Sequence, residues 1–194
     1  MSGLRIAVLA SGSGTNLQSI IDAIENGILQ SEIVSIISNK ADAFALERGK
    51  ASGIPAYYID PKEEDYDIKL LNRLQEDKVD LVVLAGYLKI IHSELIKAYR
   101  GQIINIHPSL LPKFGGKGYY GIKVHQAVLR SGETYSGATV HFVDEGVDTG
   151  EIILQKRVPV YSTDTPEVLQ RRVLYEAEHK ILVQAIKKLE EERG

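Results

Sequence analysis

Asn105 and His107 are the side chains of this 194-residue chain whose types and spacing point most directly to chemistry. They break an apolar run, Ile103, Ile104 and Ile106, that Pro108 then stops. Residues two apart on an extended chain share a face, so an amide and an imidazole project together from the carboxyl end of one strand. Pro108 fixes its own φ and pushes His107 toward the extended region, which holds that geometry. Open α/β sheets bind ligands outside the carboxyl ends of their strands, so an amide donor beside a proton-carrying imidazole suits a reaction site there. Asn and His before Pro are also ordinary turn residues, and spacing alone leaves a capped loop start open.

Three other stretches carry candidate groups. In "ASGSGTNLQSII", Gly12 and Gly14 mark a strand-to-helix turn, but Asn16 and Leu17 stand where a dinucleotide fingerprint needs its third Gly. The next strand ends in Asn39 and Lys40 rather than a ribose-binding acid, which argues against a nicotinamide dehydrogenase. Such a turn still aims N–H groups and a helix N-terminus at an anion, a monophosphate better than a pyrophosphate; a tight turn without ligand is the other reading. "DEGVDTG" puts Asp144 and Asp148 on a Gly-punctuated loop that by itself reads as a solvated turn. Glu178 lies on an apolar helical stripe with Leu174, Ile181 and Leu182, either facing inward or reaching water at a rim. His92, His125 and His179 read as surface or core residues, and His141 is next to the site on its strand without an assigned role. No His and carboxylate spacing suggests a metal.

The elements that must position these groups alternate. Leu4 to Ala10, Ile33 to Ser38, Pro55 to Ile59 and Val79 to Ala85 read as strands. Helices follow: one capped by Thr15 or Asn16 and ending at Gly27, one from Asp42 to Ser52, and one from "DPKE" to about Asp77, with Asp60 as cap and Pro61 first. A fourth is capped near Ser93 and a fifth runs from about Gly121 to Arg130. "TYSGATVHFV" and "EIILQKRVPV" are two longer strands, and Thr165-Pro166-Glu167 starts a long last helix. The pattern predicts an α/β, doubly wound, mostly parallel sheet with an antiparallel C-terminal addition, in one domain spanning 1–194.

Composition narrows the function. A formal charge of −3 with no basic block argues against nucleic-acid binding. With no Cys, disulfides, thiolate nucleophiles and cysteine metal sites are excluded. No apolar segment is long enough to span a bilayer, and the run from Leu4 to Ala10 is better a buried strand than a signal peptide, so the expected location is the cytoplasm.

"NIHPSLLP", with "ASGSGTNLQSII" before it and "GATVHFVDEGVDTGEII" after it, resembles the glycinamide ribonucleotide transformylases (phosphoribosylglycinamide formyltransferases) of purine synthesis, across essentially the whole chain. "HPSLLP" with a D-x-G loop marks the folate-dependent formyltransferases and a related hydrolase; the first loop separates the members. The resemblance implies a Rossmann-like formyltransferase fold, a phosphate-binding half at about 1–100 and a folate-binding, catalytic half at about 101–194. It implies 10-formyltetrahydrofolate as formyl donor, phosphoribosylglycinamide as acceptor, no metal, and a monomer or homodimer.

Residue by residue, Gly14, Thr15 and Asn16 match the phosphate loop, and Glu178 in "EAEH" the ribose contact. Leu88, Lys89, Ile90 and Ile91 match one wall of the folate pocket. Asp144, Glu145, Gly146, Val147 and Asp148 match the loop over the pterin, and Lys62 lies near a basic position facing the folate. Asn105 and protonated His107 would donate to the oxyanion, with the proton reaching folate N10 by His107 or a water. Asp148 is implied to pair with His107 and favour its protonated form. The chain departs from these relatives after "SLLP", where "KFGGKGYYG" is longer and richer in Gly and is expected to move over the folate. Formyltetrahydrofolate hydrolase is the nearer alternative, although its relatives carry an extra N-terminal domain. Methionyl-tRNA formyltransferase is disfavoured by the missing C-terminal RNA-binding domain and the acidic balance. A non-catalytic nucleotide-binding module explains the first loop but not Asn105, His107 and Asp148.

Overall fold

The computed structural model describes residues 3–193. Its strands are β1 (Arg5–Leu9), β2 (Glu32–Ser38), β3 (Ala56–Tyr58), β4 (Leu81–Leu84), β5 (Ile103–His107), β6 (Tyr135–Phe142) and β7 (Ile152–Pro159). Its helices are α1 (Thr15–Glu25), α2 (Phe44–Ala51), α3 (Tyr66–Glu76), α4 (Ser93–Ala98), α5 (Ile122–Ser131), α6 (Pro166–Val173) and α7 (His179–Arg193). The strands form one seven-stranded sheet in the order β3-β2-β1-β4-β5-β6-β7. β1 to β5 run parallel, and β6 and β7 are antiparallel. This is the doubly wound sheet with an antiparallel addition that the alternating pattern predicts.

Alternation of side chains divides the core in two. Ile6, Val8, Val83, Ile104, Ile106, Ala138 and Val140 face one side and pack with residues of α1, α2, α6 and α7. Ala7, Leu9, Val82, Leu84 and Ile103 face the other and pack under α3 and α4. β5 is the boundary strand, parallel to β4 and antiparallel to β6. Asn105 and His107 share the face of Ile103, beyond the reach of that second core.

Most strand and helix ends fall within two residues of expectation, as ends commonly do. Three expectations are corrected. α1 is capped by neither Thr15 nor Asn16: Gly14 is the N-cap, at φ 69, with no side-chain cap bond. α3 starts at Tyr66 rather than Pro61, because Asp60 Oδ1 caps a local turn by accepting from the Lys62 N–H at 3.0 Å and a second turn closes from Tyr66 N to the Glu63 carbonyl. The last helix is not continuous: a π-helical turn, Leu174–Glu178, separates α6 from α7. Thr165 does cap α6, accepting from Val168 N, with Pro166 in the first turn.

Candidate active site

The antiparallel pairing of β5 with β6 builds the first part of the site. Asn105 lies opposite His141 and His107 opposite Thr139, so all four side chains share a face. Asn105 Nδ2 is 3.1 Å from His141 Nε2 and donates to Asp148 Oδ1 at 3.5 Å. His107 Nδ1 is 3.5 Å from Asp148 Oδ2, and His141 Nε2 is 3.6 Å from Asp148 Oδ1. The loop between β6 and β7 thus returns Asp148 over β5, at φ 57, a left-handed backbone uncommon outside glycine. The Gly116 N–H donates to Asp148 Oδ2 at 2.9 Å and fixes the carboxylate from the other side. The structure brings together the three candidates Asn105, His107 and Asp148, and adds His141.

Protons follow from the partners. His141 Nδ1 faces its neighbour's carbonyl, Phe142 O, at 2.7 Å; a carbonyl only accepts, so Nδ1 carries a proton. His141 Nε2, when neutral, is left to accept from the Asn105 amide. His107 Nε2 likewise donates to the Phe114 carbonyl at 2.8 Å. Both nitrogens of His107 therefore face acceptors, one a carbonyl and one a carboxylate.

Asp148 pulls His107 toward its protonated form, and burial opposes that pull. Burial pushes its pKa down and outweighs the upward pull of Asp148 and the Phe114 carbonyl, with His141 adding to the decrease. His107 is buried, and the cost of desolvating the imidazolium exceeds what one carboxylate at 3.5 Å returns. Asp148 goes the other way: burial alone would raise it, but His141, His107 and the Gly116 N–H together hold it below the usual carboxylate range. Behind the site, His125 on α5 is fully buried, without a partner at either ring nitrogen, and burial and His107 lower its pKa to about 4. It stays neutral.

In the turn before α1, Gly14 cannot carry a side chain, because a Cβ there would lie 2.8 Å from Ala45 Cα. The uncapped N-terminus of α1 leaves its first N–H groups available to an anion. Asn16, instead of capping, donates from Nδ2 to Glu178 Oε2 at 2.7 Å. Both side chains are buried, so Glu178 is not a rim residue. Burial raises its pKa to about 7 against the opposing Asn16 bond. The π-helical turn ends at Glu178, and turns of this kind recur where a helix must aim a functional side chain.

The remaining candidates divide. Leu88 and Ile90 are exposed apolar residues after β4, Lys89 Nζ lies 4.3 Å above the Tyr66 ring, and the Leu88 N–H is held by Ser11 Oγ at 2.9 Å. Ile91 is buried in the core under α3 and α4. Asp144 Oδ1 braces its own loop, accepting from Gly146 N and Thr149 Oγ1; Glu145 and Val147 are exposed. Lys62 is exposed in the turn before α3 and is not tied to the cluster. Sequence reasoning missed His141, the Phe114 carbonyl and the Gly116 N–H. Only the strand register could have found His141, and nothing in residue type announces a backbone group. Among the described residues, no group of three or more His, Cys, Asp or Glu is placed to hold a metal, and no helix is long and apolar enough to cross a membrane.

Residues 4–186 match the Formyl transferase family. A phosphoribosylglycinamide formyltransferase, chloroplastic, of Vigna unguiculata is 46% identical over 194 residues, covering 97% of this chain and 62% of the relative. The phosphoribosylglycinamide formyltransferase of Haemophilus influenzae is 43% identical, covering 94% of this chain and 85% of the relative. The crystal structure of glycinamide ribonucleotide transformylase 1 from Symbiobacterium toebii superposes with a TM-score of 0.91 at 44% identity, covering 98% of this chain and 89% of that one. The chain thus spans about three fifths of the Vigna relative's length, and most of the bacterial ones.

Proposed function

The chain belongs to the formyl transferase family, and from that premise we propose that it transfers a formyl group from 10-formyltetrahydrofolate to the amine of 5′-phosphoribosylglycinamide. The observation that carries this reading is the convergence of Asn105, His107 and Asp148, with His141, on a sheet face with polar loops around it. The acceptor's phosphate sits on the N–H groups of Gly14, Thr15 and Asn16, and its ribose hydroxyls meet Glu178. The folate lies between Leu88–Ile91 and the Asp144–Asp148 loop, with Lys62 the outermost contact. The two halves of the chain share the work unevenly, since Glu178 reaches Asn16 and Leu88–Ile91 come from the first half.

The acceptor amine attacks the formyl carbon, and negative charge grows on the formyl oxygen. The Asn105 amide donates to that oxygen, and protonated His107 donates from Nδ1, the nitrogen that the Phe114 carbonyl does not hold and that Asp148 meets only at 3.5 Å. Because His107 lies below the usual imidazole value, its charged form is scarce in the empty site; growth of the oxyanion beside it is what favours protonation. Asp148, held as a carboxylate, orients His107 and compensates its charge. A proton then leaves the amine for folate N10, through His107 or a water; the carbonyl re-forms as the bond from the formyl carbon to N10 breaks, and tetrahydrofolate leaves. No step calls for a metal. We expect the enzyme in the cytoplasm, as a monomer or homodimer.

The test is to mix protein, 10-formyltetrahydrofolate and phosphoribosylglycinamide and to follow tetrahydrofolate and the N-formyl product together. Equal amounts of both support transfer. Formate released at the same rate without acceptor would instead make the protein a hydrolase.

A further inference from the structure

The sheet face that carries Asn105, His107 and His141 also carries Thr139 and Gln155 in one row: His107 pairs with Thr139, and Thr139 with Gln155. Thr139 is fully buried and its hydroxyl is fully used. Thr139 Oγ1 donates to the Ser109 carbonyl at 2.7 Å and accepts from Leu111 N at 3.1 Å and Gln155 Nε2 at 2.8 Å. Gln155 Nε2 gives its second hydrogen to the Leu111 carbonyl at 2.9 Å. Two strands thereby grip the turn that follows His107. Ser109, itself fully buried, extends the grip: its Oγ donates to the Lys113 carbonyl at 2.6 Å and lies 3.4 Å from the Phe114 carbonyl. That carbonyl accepts from His107 Nε2. Phe114 sits at φ 54, which a bulky residue keeps only where its surroundings impose it.

We propose that Gln155, acting through Thr139, is a positioning residue for His107: it holds the 109–114 turn so that the Phe114 carbonyl keeps the proton on Nε2 and leaves Nδ1 facing Asp148. In metal-ligating histidines, hydrogen bonds from the second ring nitrogen fix the tautomer and ring orientation in the same way. The groups that face His107 are Asp148 from the β6–β7 loop, the Phe114 carbonyl, His141 from β6 and His125 from α5. Of these, the Phe114 carbonyl is the one tied to Gln155. The Phe114 bond favours protonation, so loosening it lowers the pH at which His107 titrates. Only the activity readout rests on the formyl-transfer reading.

The test uses the full chain with ¹⁵N-labelled histidine. In the parent, neutral His107 should carry its proton on Nε2; a neutral Nδ1–H tautomer overturns the proposal without any variant. Gln155→Met keeps length and removes both donors. It should shift the His107 titration to lower pH and lower kcat on the order of tenfold, the scale of outer hydrogen bonds at functional imidazoles, with little change in either KM. Thr139→Val should do the same, and Thr139→Ser, which returns the hydroxyl, should recover most of the loss. An unchanged tautomer and titration in folded Gln155→Met overturns the proposal. A shifted titration with unchanged kcat supports the positioning and removes His107 from the reaction, so the two readings fail separately.

Discussion

His107 Nδ1 and Asp148 Oδ2 lie 3.5 Å apart, at the outer limit of a hydrogen bond, in a site where neither side chain has much water left. Asp148 pulls the imidazole toward its charged form while burial pushes it away, and burial wins. Asp148→Asn removes the upward pull, so the His107 titration should move to still lower pH, and the alkaline fall of activity that belongs to His107 should move with it. The acceptor amine also titrates, so the check is the His107 carbon resonances of labelled protein against pH. A midpoint that does not move would leave Asp148 as a residue that only shapes its loop.

Asn105 and His107 should act on one transition state. Asn105→Ala should cost about 10²- to 10³-fold in kcat, as removal of an oxyanion donor does elsewhere. The double variant with His107→Ala should lose less than the product of the single losses, measured as kcat/KM. Multiplicative losses would separate the two residues.

Glu178 makes a prediction about stability whose sign is fixed by its burial. Its ordinary value is 4.5 and the folded value is about 7, so between them the folded chain keeps a proton that the unfolded chain has lost. Stability therefore falls as pH rises through that window and levels off above it. Glu178→Gln has no such proton, so its advantage over the parent in urea unfolding should be absent at about pH 4 and largest at about pH 8. The same variant should bind the ribonucleotide less well and a folate analogue nearly as before. An equal loss for both ligands would assign Glu178 a structural part.

Gly14→Ala combines a forbidden conformation with a blocked position, at φ 69 and with the new Cβ 2.8 Å from Ala45 Cα. It should destabilise the chain by more than about 1 kcal/mol and raise KM for the phosphorylated acceptor. Glycinamide riboside, which lacks the phosphate, should be far poorer than the ribonucleotide for the parent and should discriminate less in the variant. Equal kcat/KM for riboside and ribonucleotide in the parent would move the anion site elsewhere.

Much of this was legible because strands and loops that bind ligands announce themselves by residue type. The polar pair at Asn105 and His107, ended by Pro108, gave β5 and the polar face at its carboxyl end; Gly12 and Gly14 gave the turn before α1. What could not be read was set by register and burial. His141 enters the site because it pairs with Asn105 across two antiparallel strands. The net sign at His107 depends on how much water the fold removes, which a sequence does not state. Pro61 followed by Glu63 satisfied every rule for a helix start, yet Asp60 found a nearer partner in Lys62.

The bond between Asn16 and Glu178 joins positions separated by 162 residues. The acceptor pocket proposed above would therefore be closed by residues far apart in sequence, and it would be complete only once the Leu174–Glu178 turn has docked against α1. Long-range closures of this kind are slow to form because the intervening chain must be ordered first. On the proposed reading a bound ribonucleotide would touch both the Gly14–Asn16 turn and Glu178, and by mass action it should protect the Leu174–Glu178 turn and α7 from opening as strongly as the turn before α1.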